Sequence, residues 1–333
     1  MVSFSVVVPT FNRADLLFGT LESVFGQTFT DFEIIVVDDG STDGTMRYLQ
    51  SLGKDVRVFQ QSNRGAGPAR NLGARHAHGR YLAFLDSDDL WFPWTLQVYH
   101  DVIRGHQEPS FIVGKPHVFC DQLELDKVAF SAAQDEWFVD YLASGDQWRW
   151  WGASSFIVRR DAFEAVGGFT EEWVNDEDTD LTLRMGVAPG FVQITAPVTF
   201  AFREHPGSVS KDHARLLTGT WSRVHAERQG QYPGGSARAK ERRRILTRHV
   251  RPVTLSCIRV GLPREAWKLY RATFAWNASL GRVRYLAAFP LLASFSYLRA
   301  LRLTDFVGAN FANSERSHRQ DALRDRDSER LEP

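Results

Sequence analysis

Cysteine is scarce in this chain of 333 residues, which contains only Cys120 and Cys257. Two cysteines cannot build the disulfide framework of a small secreted domain, and they suit a reducing cytoplasm. The N-terminal segment has neither a basic stretch nor a cleavage site, so we expect no secretory signal peptide. The apolar stretch 285–298 is shorter than the about 20 residues that a membrane-spanning helix needs. These absences favour a cytoplasmic protein.

Net charge is also absent, but the zero total hides an asymmetry. Residues 1–235 carry 20 Lys and Arg against 31 Asp and Glu, whereas residues 236–304 carry 15 against 2. A block this basic is expected to lie against something anionic. Lipid headgroups, a phosphorylated acceptor, nucleic acid and the acidic N-terminal part are the alternatives. The hydrophobic content of 43% and charged content of 24% are those of a globular protein.

Short apolar runs alternate with helical patterns through the first 91 residues. This alternation is typical of βαβ units and predicts a doubly wound, mostly parallel α/β sheet. Right-handed crossovers bring the C-terminal ends of the strands to one edge. The predicted strands are 3–8, 32–37, 56–60 and 81–85, and the segments after the first, second and fourth would line one crevice.

Three carboxylates, Asp86, Asp88 and Asp89, follow the predicted fourth strand. Asp86 and Asp88 are two residues apart, so an extended chain would point both side chains the same way. Two converging carboxylates can hold a hard cation such as Mg²⁺, which completes its shell with water and substrate phosphates. The alternative is an acidic turn that caps the helix starting near Pro93.

A glycine-rich turn at residues 65–67 has some features of a dinucleotide-binding fingerprint. However, Arg70 occupies the position of the third glycine, and the turn is the third along the chain rather than the first. We therefore disfavour a dinucleotide fold. A guanidinium in the first turn of a helix that faces a crevice suits a phosphate or a nucleobase.

Four motifs within residues 4–91 resemble those of the family 2 glycosyltransferases of the GT-A fold. They read Val-Val-Pro-Thr-Phe-Asn-Arg, Val-Val-Asp-Asp-Gly-Ser-Thr-Asp-Gly-Thr, Asn-Arg-Gly-x-Gly-x-Ala-Arg-Asn-x-Gly and Phe-Leu-Asp-Ser-Asp-Asp, in the order and spacing of the family. The resemblance implies a nucleotide-diphosphate-sugar donor, with a UDP-sugar favoured. It also implies a divalent cation, Mn²⁺ or Mg²⁺, and inversion at the anomeric carbon.

The same resemblance implies roles for individual residues. Asp39 would read the base, Arg70 would lie beside the base or phosphate, Asp86 would bind the ribose, and Asp88 would hold the metal that bridges the diphosphate. Asp38 would either contact the nucleotide or only brace its turn. The full set implied for the nucleotide-sugar is Pro9, Thr10, Asn12, Asp38, Asp39, Arg70, Asp86 and Ser87.

A second signature, Gly-Gly-Phe followed by Glu-Asp-x-Asp-Leu-x-x-Arg, ends at Arg184 and resembles the acceptor side of the same family. The resemblance implies that Asp178 is the general base. Inverting transfer needs one carboxylate to deprotonate the acceptor hydroxyl. Asp176 and Asp180 are competing candidates, and we expect Asp180 to brace the helix start. A well-capped helix that opens among acids is the simpler account of the pattern.

The segment 203–210 resembles the family's Arg-x-His-x-x-Ser-x-Ser loop. It implies that His205 supplies a further metal or diphosphate contact, and imidazole is more acceptable to Mn²⁺ than to Mg²⁺. The alternative is a surface or core histidine. Aromatic side chains can stack on sugars but equally fill cores. Further candidates for acceptor or supporting contacts are Glu177, Asp180, Trp148, Trp150, Trp151 and Arg203.

We thus predict a GT-A domain over residues 1–215, with a donor half (1–91) and an acceptor half (92–215). A basic helical region (216–312) and a disordered tail (313–333) would follow. The segment 236–304 would either lie on the inner face of the cell membrane or pack on the catalytic domain.

The predicted activity is sugar transfer to a glycan or a lipid-linked acceptor in surface polysaccharide or cell-envelope synthesis. The alternatives are a non-catalytic nucleotide-sugar-binding module and a sugar nucleotidyltransferase. The latter would want a basic glycine-rich loop after the first strand, which residues 10–13 do not supply. No nucleic acid partner is expected, because the crevice is acidic.

Overall fold

A computed structural model describes residues 2–145, 152–172, 174–205 and 212–294. The chain divides into two compact units, residues 1–249 and 250–333. The candidate site lies in the first unit. The predicted tail, 313–333, and the tryptophans Trp148, Trp150 and Trp151 lie outside the described residues.

The first unit is built on one mixed sheet with the strand order β3-β2-β1-β4-β8-β6-β9-β5, and β7 pairs with β9. Strands β3, β2, β1 and β4 are parallel. Strand β8 runs antiparallel to both β4 and β6, and β6 is parallel to β9. The strands are β1 (Phe4–Thr10), β2 (Phe32–Asp38), β3 (Arg57–Gln60), β4 (Tyr81–Phe84), β5 (Leu90–Trp91), β6 (Phe111–Phe119), β7 (Gln134–Phe138), β8 (Phe156–Arg159) and β9 (Phe191–Arg203).

Strands β1 and β4 are buried along their whole length. Continuous apolar runs of this kind belong to strands that are covered on both faces. In the register of the sheet, Thr10 at the end of β1 lies beside Asp38 at the end of β2. Strand β4 pairs with β1 on the other side as far as Phe84. The loops after these strands therefore meet at one edge, as the sequence predicts.

Helices cover the sheet and extend the chain beyond it. They are α1 (Ala14–Phe25), α2 (Thr45–Ser51), α3 (Ala66–Arg75), α4 (Thr95–Gly105), α5 (Tyr141–Ser144), α6 (Arg160–Ala165), α7 (Glu177–Arg184), α8 (His213–Arg228), α9 (Ala239–Arg259) and α10 (Pro263–Ser279). Short 3₁₀ helices occupy Gln122–Lys127, Ala153–Ser155 and Ser236–Arg238. Residues 283–294 are also helical.

The α/β fold class predicted from the sequence is confirmed, and the parallel arrangement is a property of its first half. The apolar segments 192–194 and 198–202 each have the sequence pattern of a short closing strand, but in the structure they form one strand, β9, of 13 residues. Strands β5 and β7 were not predicted. Strand β5 has only two residues, and β7 is mostly exposed, so neither carries a strong apolar signal.

The predicted domain boundary at residues 215 and 216 lies within the first unit, near the start of α8. Helix α8 and the start of α9 are joined by a buried ion pair, in which Arg242 Nε donates to Glu227 Oε2 at 2.7 Å. Arg238 binds Asp140 through two hydrogen bonds of 2.8 Å. These contacts explain why the first unit extends to residue 249.

In the second unit, α10 packs on the helix 283–294 through aromatic contacts. The rings of Tyr270 and Phe289 stack at 4.4 Å, and Trp267 meets Phe289 edge-on at 5.1 Å. Within the described part of the chain, no helix has the length and hydropathy needed to span a bilayer.

Candidate active site

The crevice edge is organised by Asp39, a buried carboxylate at the end of β2. Its backbone N–H donates to the carbonyl of Thr10 at 2.8 Å. Its carboxylate accepts from the backbone N–H groups of Arg64 at 2.9 Å and Gly65 at 2.7 Å, and from Gln61 Nε2 at 2.7 Å. Gly65 has φ of +97°, a conformation that side chains rarely adopt. Asp39 therefore fixes the turn that leads into α3.

Asp38 and Asn12 fix the neighbouring loop. Asp38 is fully buried and accepts from the Ser41 backbone N–H at 3.2 Å and from Gln60 Nε2 at 3.1 Å. Asn12 Oδ1 accepts from the Thr42 backbone N–H at 2.8 Å. Two roles were considered for Asp38, and these contacts agree with the one in which it braces the turn.

Pro9 and Thr10 end β1 at the same edge. Both are buried, and Pro9 lies opposite Val37 in the sheet. Thr10 Oγ1 is buried and has no hydrogen-bond partner among the described residues. A buried hydroxyl without a partner is costly, so this atom is a candidate contact for a ligand in the crevice.

Arg70 is the central cation of the site and is only 4% exposed. Its Nη2 donates to Asp86 Oδ1 at 2.5 Å and its Nη1 to Glu177 Oε1 at 2.6 Å. The guanidinium also lies 5.1 Å from the centre of the Phe169 ring. Burial lowers the pKa of Arg70, but the carboxylates of Asp86 and Glu177 outweigh it and hold the pKa above the usual range. Arg70 thus joins the end of β4 to the start of α7.

Asp88 faces two basic side chains. Its Oδ2 lies 2.9 Å from His205 Nε2 and 3.8 Å from Arg13 Nη2. The adjacent Ser87 is buried, and the Asp86 backbone N–H donates to Ser154 Oγ at 3.0 Å. The structure therefore brings together Asp88 and His205, which are 117 residues apart in sequence.

Asp89 and Arg203 form the support behind Asp88. The buried Asp89 carboxylate accepts from the Arg203 backbone N–H at 2.9 Å. Burial, followed by the charges of Asp88 and Asp86, raises the pKa of Asp89 well above its usual range. The Arg203 side chain donates from Nε to the Asp88 carbonyl at 2.9 Å and covers the Phe119 ring at 4.6 Å. These contacts tie β9 to the acidic loop.

The candidate base, Asp178, lies in the first turn of α7. Its Oδ1 accepts from the Thr179 backbone N–H at 2.7 Å. A Cβ added to Gly152 would lie 3.4 Å from its Oδ2, so the turn after residue 151 approaches the carboxylate closely. Burial, then the charges of Asp176 and Glu177, raises the pKa of Asp178 well above its usual range. A carboxylate in this state accepts a proton more readily than an exposed one.

Asp180 is engaged elsewhere on the same helix. Its Oδ2 accepts from Arg184 Nε at 2.7 Å, and its Oδ1 accepts from the Tyr232 hydroxyl at 2.9 Å. Arg184 Nη1 in turn donates to the carbonyls of Val166 at 2.7 Å and Gly168 at 2.6 Å. Asp180 therefore faces structural partners, whereas Asp178 faces the Gly152 turn.

The residues present fit a divalent cation held by few protein ligands. Among the described residues, no three His, Cys, Asp or Glu side chains are grouped as a metal cage. In the crevice, Asp88 and His205 lie 2.9 Å apart, and Mg²⁺ typically takes only one or two carboxylates besides phosphates and water. A carboxylate with an imidazole also suits Mn²⁺.

Sequence reasoning missed three residues of this site. Arg13 lies three residues after the end of β1, in the first of the four motifs, so its position beside the crevice could have been deduced. Ser154 lies in the Gly-Ala-Ser-Ser segment before β8, and this small, polar segment is the only sequence feature that could have indicated it. Arg223, which binds Asp176 from α8, lies outside all recognised motifs and has no signal in the sequence.

Comparison with known proteins agrees with this geometry. Residues 5–163 match the family model described as "Glycosyl transferase family 2". An uncharacterized glycosyltransferase of Rickettsia felis is 43% identical over 110 residues, which cover 32% of this chain and 18% of that protein. The putative teichuronic acid biosynthesis glycosyltransferase TuaG of Bacillus subtilis is 47% identical over 91 residues, covering 26% of this chain and 36% of TuaG.

A further relative is the UDP-Glc:alpha-D-GlcNAc-diphosphoundecaprenol beta-1,3-glucosyltransferase WfaP of Escherichia coli. It is 42% identical over 122 residues, covering 33% of this chain and 48% of WfaP. The chain thus matches less than half of the length of each of these three relatives.

Among solved structures, S. aureus TarS 1–349 superposes with a TM-score of 0.63 at 19% identity, over 90% of this chain and 92% of TarS 1–349. The mannosyltransferase PcManGT of Pyrobaculum calidifontis, solved with GDP-Man and Mn²⁺, gives a TM-score of 0.50 at 22% identity, over 90% of this chain and 84% of PcManGT. At these identities the superpositions establish the fold alone.

The sheet has the GT-A fold of these solved structures. The family match identifies its first part as a glycosyltransferase domain. Residues 5–163, just under half of the chain, match glycosyltransferase family 2. The resemblance noted from the four sequence motifs is thereby confirmed.

Proposed function

We propose that this protein is an inverting, divalent-metal-dependent glycosyltransferase. It moves a sugar from a nucleotide-diphosphate-sugar, with UDP-sugars favoured, to a hydroxyl of a glycan or lipid-linked acceptor in cell-envelope polysaccharide synthesis. The observation that carries this proposal is the Arg70 bridge. It joins Asp86, at the donor end of β4, to Glu177, the residue before the candidate base Asp178.

In the proposed reaction, Asp178 takes the proton of the acceptor hydroxyl. The acceptor oxygen attacks the anomeric carbon, and the bond from that carbon to the diphosphate oxygen breaks. The electron pair leaves with the nucleoside diphosphate, so a single displacement inverts the anomeric centre. The raised pKa of Asp178 suits a base that works near neutral pH.

Asp88 and His205 would hold the divalent cation, and Arg13 would add positive charge beside them. A cation bound there would neutralise the charge that grows on the diphosphate as the bond breaks. PcManGT was solved with Mn²⁺, and further TarS structures contain UDP and UDP-GlcNAc. These neighbours support a metal and a nucleotide-sugar here. WfaP, by its name, acts on a diphosphoundecaprenol-linked sugar and supports a lipid-linked acceptor.

The test combines donor binding with transfer. We expect a UDP-sugar with Mn²⁺ or Mg²⁺ to raise the melting temperature of the wild type, and EDTA to abolish the shift. Asp88→Ala should lose the metal-dependent shift, whereas Asp178→Asn should keep it and lose transfer. Asp55→Ala, on the surface, is the matched control and should behave as wild type.

The alternatives give different outcomes. Binding without any transfer, in the wild type as in Asp178→Asn, would indicate a nucleotide-sugar-binding module. Release of pyrophosphate from a nucleoside triphosphate and a sugar phosphate would indicate a nucleotidyltransferase. Full transfer by Asp178→Asn would show that the base is another group.

We also propose that the second unit contacts an anionic membrane surface. Helix α10 exposes Arg264, Lys268 and Arg271 along a groove of about 680 Å³, whose lining includes Trp267 and Ala293. Leu291 is 73% exposed on the neighbouring helix. Cations beside apolar side chains match the boundary between lipid headgroups and acyl chains.

Flotation of the full chain with vesicles tests this contact. We expect binding to vesicles that contain phosphatidylserine, little binding to pure phosphatidylcholine, and weakening by salt. A variant with Arg264, Lys268 and Arg271 changed to alanine should lose most of the binding. A control that removes the same charge from the first unit, with alanine at Lys54, Arg75 and Arg104, should retain it. Equal loss in both variants would attribute the binding to net charge alone.

A further inference from the structure

Arg223 is a fully buried cation that binds the turn before the candidate base. It lies on α8, 60 residues beyond the end of the family match, and its side chain is only 2% exposed. Its Nη1 donates to the backbone carbonyl of Asp176 at 2.8 Å, and its Nη2 donates to the Asp176 carboxylate. A planar guanidinium can make both contacts at once, which an ammonium cannot reproduce.

Asp176 has an unusual backbone conformation that these contacts hold. Its φ of +72° and ψ of 29° are left-handed, a conformation that is uncommon outside glycine. Its carboxylate also accepts from the Thr179 hydroxyl. Since Asp176 immediately precedes α7, its conformation sets the direction in which the helix starts. The position of Asp178, two residues later, therefore depends on this turn.

The charges around Asp178 make the same turn important for its proton affinity. Besides burial, Asp176 and Glu177 raise the pKa of Asp178, and Arg70 lowers it. Burial, with a smaller contribution from the charge of Asp178, raises the pKa of Tyr141 on α5. Arg223 opposes the Asp176 charge directly, because the two side chains form an ion pair.

We propose that Arg223 is a positioning residue for Asp178. This inference rests on the proposed function, in which Asp178 is the general base. Arg223 holds the left-handed turn at Asp176 and offsets the charge of its carboxylate. Helix α8 thereby becomes part of the catalytic apparatus, although it lies outside the matched segment.

The test measures kcat, the donor KM and the pH dependence of kcat/KM in four variants. Arg223→Met should lower kcat about a hundredfold, the loss expected for a group displaced by about 1 Å, with the donor KM within about twofold of wild type. In this variant the Asp176 charge has lost its cation, so the acidic limb of the pH profile, where kcat/KM falls as the pH decreases, should move to higher pH. We expect a shift of about one pH unit, the low end of the effect of a nearby charge.

The other variants separate geometry from charge. Arg223→Lys keeps the charge, so its acidic limb should remain at the wild-type pH while kcat recovers only in part. Asp176→Asn removes the repelling charge, so its limb should move to lower pH. The double variant Arg223→Met with Asp176→Asn removes both charges, and its limb should return towards the wild-type position.

Arg242→Met is the matched structural control. It removes another buried guanidinium, which pairs with Glu227 on the same helix α8. We expect it to lower the melting temperature without moving the acidic limb. If Arg223→Met does not fold, Arg223→Lys and Asp176→Asn still give the sign of the charge effect.

Three results would overturn the inference. These are wild-type kcat in Arg223→Met, an identical pH profile in Arg223→Met and Arg242→Met, and an upward movement of the limb in Asp176→Asn. The proposed function fails separately, if the wild type itself transfers no sugar, and this inference then fails with it.

Discussion

The Arg70 bridge gives the sharpest prediction about stability. Arg70→Met would retain the length of the side chain but remove the guanidinium from between Asp86 and Glu177. Both carboxylates would lose their partner in a crowded, largely buried setting. The cation–π contact with Phe169 would be lost as well.

The cost can be estimated from these contacts. Removing one member of a buried ion pair typically costs about 3–5 kcal/mol, because the other charge remains without compensation. Asp86 is 33% exposed and can regain water, which places the expected loss near the lower end, at about 3 kcal/mol. For a unit of this size, about 2–4 °C of melting temperature corresponds to 1 kcal/mol, so we expect a decrease of roughly 6–12 °C.

The assay is thermal and urea unfolding of the full chain, with Arg64→Met as the matched control. Arg64 also makes an ion pair at 2.7 Å, with Glu171, but both side chains are about half exposed. Such surface pairs contribute at most about 1 kcal/mol. The backbone N–H of Arg64 that binds Asp39 is unaffected by the substitution.

Equal losses in the two variants would refute the reasoning, because burial would then make no difference to the value of the ion pair. So would a stabilised Arg70→Met, which would mean that the bridge is a net cost to folding. Arg70→Lys should fall between the wild type and Arg70→Met, since one ammonium cannot span both carboxylates in the same geometry.

Three further outcomes are expected. Asp178→Asn should raise the free energy of unfolding at neutral pH. Folding raises the pKa of Asp178, and such a carboxyl group destabilises the folded protein once the pH exceeds the pKa in the unfolded chain, about 3.9. Urea titrations should therefore show that the gain vanishes below that pH. For the same reason, kcat/KM of the wild type should fall as the pH decreases, and the midpoint of this fall should lie above the pKa of an ordinary aspartate. A midpoint at the ordinary aspartate pKa would contradict the environment described for Asp178. Gly73→Ala should lower the free energy of unfolding by about 1–3 kcal/mol, because the added Cβ would lie 2.5 Å from Val7 Cγ1. Gly105→Ala has open space around the added Cβ, so the same assay should show a gain of about 0.5–1 kcal/mol.

The donor half of the fold could be predicted because its signals are local. Strands β1, β2 and β4 are short apolar runs bounded by acids or by Pro9 and Thr10, and the structure places them within two residues of the prediction. The meeting of their C-terminal ends follows from the handedness of βαβ units. Asp38, Asp86 and Asp88 were therefore expected at one edge, and they are there.

The second half was harder because its contacts depend on distant segments. Nothing in residues 134–138 distinguishes β7 from an exposed loop, since its strand character comes from pairing with β9. The roles of Arg70 and Arg223 were hidden for the same reason. Arg70 was expected to face a phosphate or base, but its guanidinium is held by Asp86 and Glu177, and the latter lies 107 residues away.

These sequence separations have a consequence for synthesis of the chain. By the time residue 163 has left the ribosome, Arg70, Asp86 and Asp88 are all present, but Glu177, His205 and Arg223 are not. At about 5–20 residues per second, the remaining 60 residues to Arg223 take roughly 3–12 s to synthesise. During most of that interval the nascent chain carries Asp88 without His205 and Asp89 without Arg203. If Arg223 positions Asp178 as proposed, the turn at Asp176 gains its buried cation only after α8 has been synthesised.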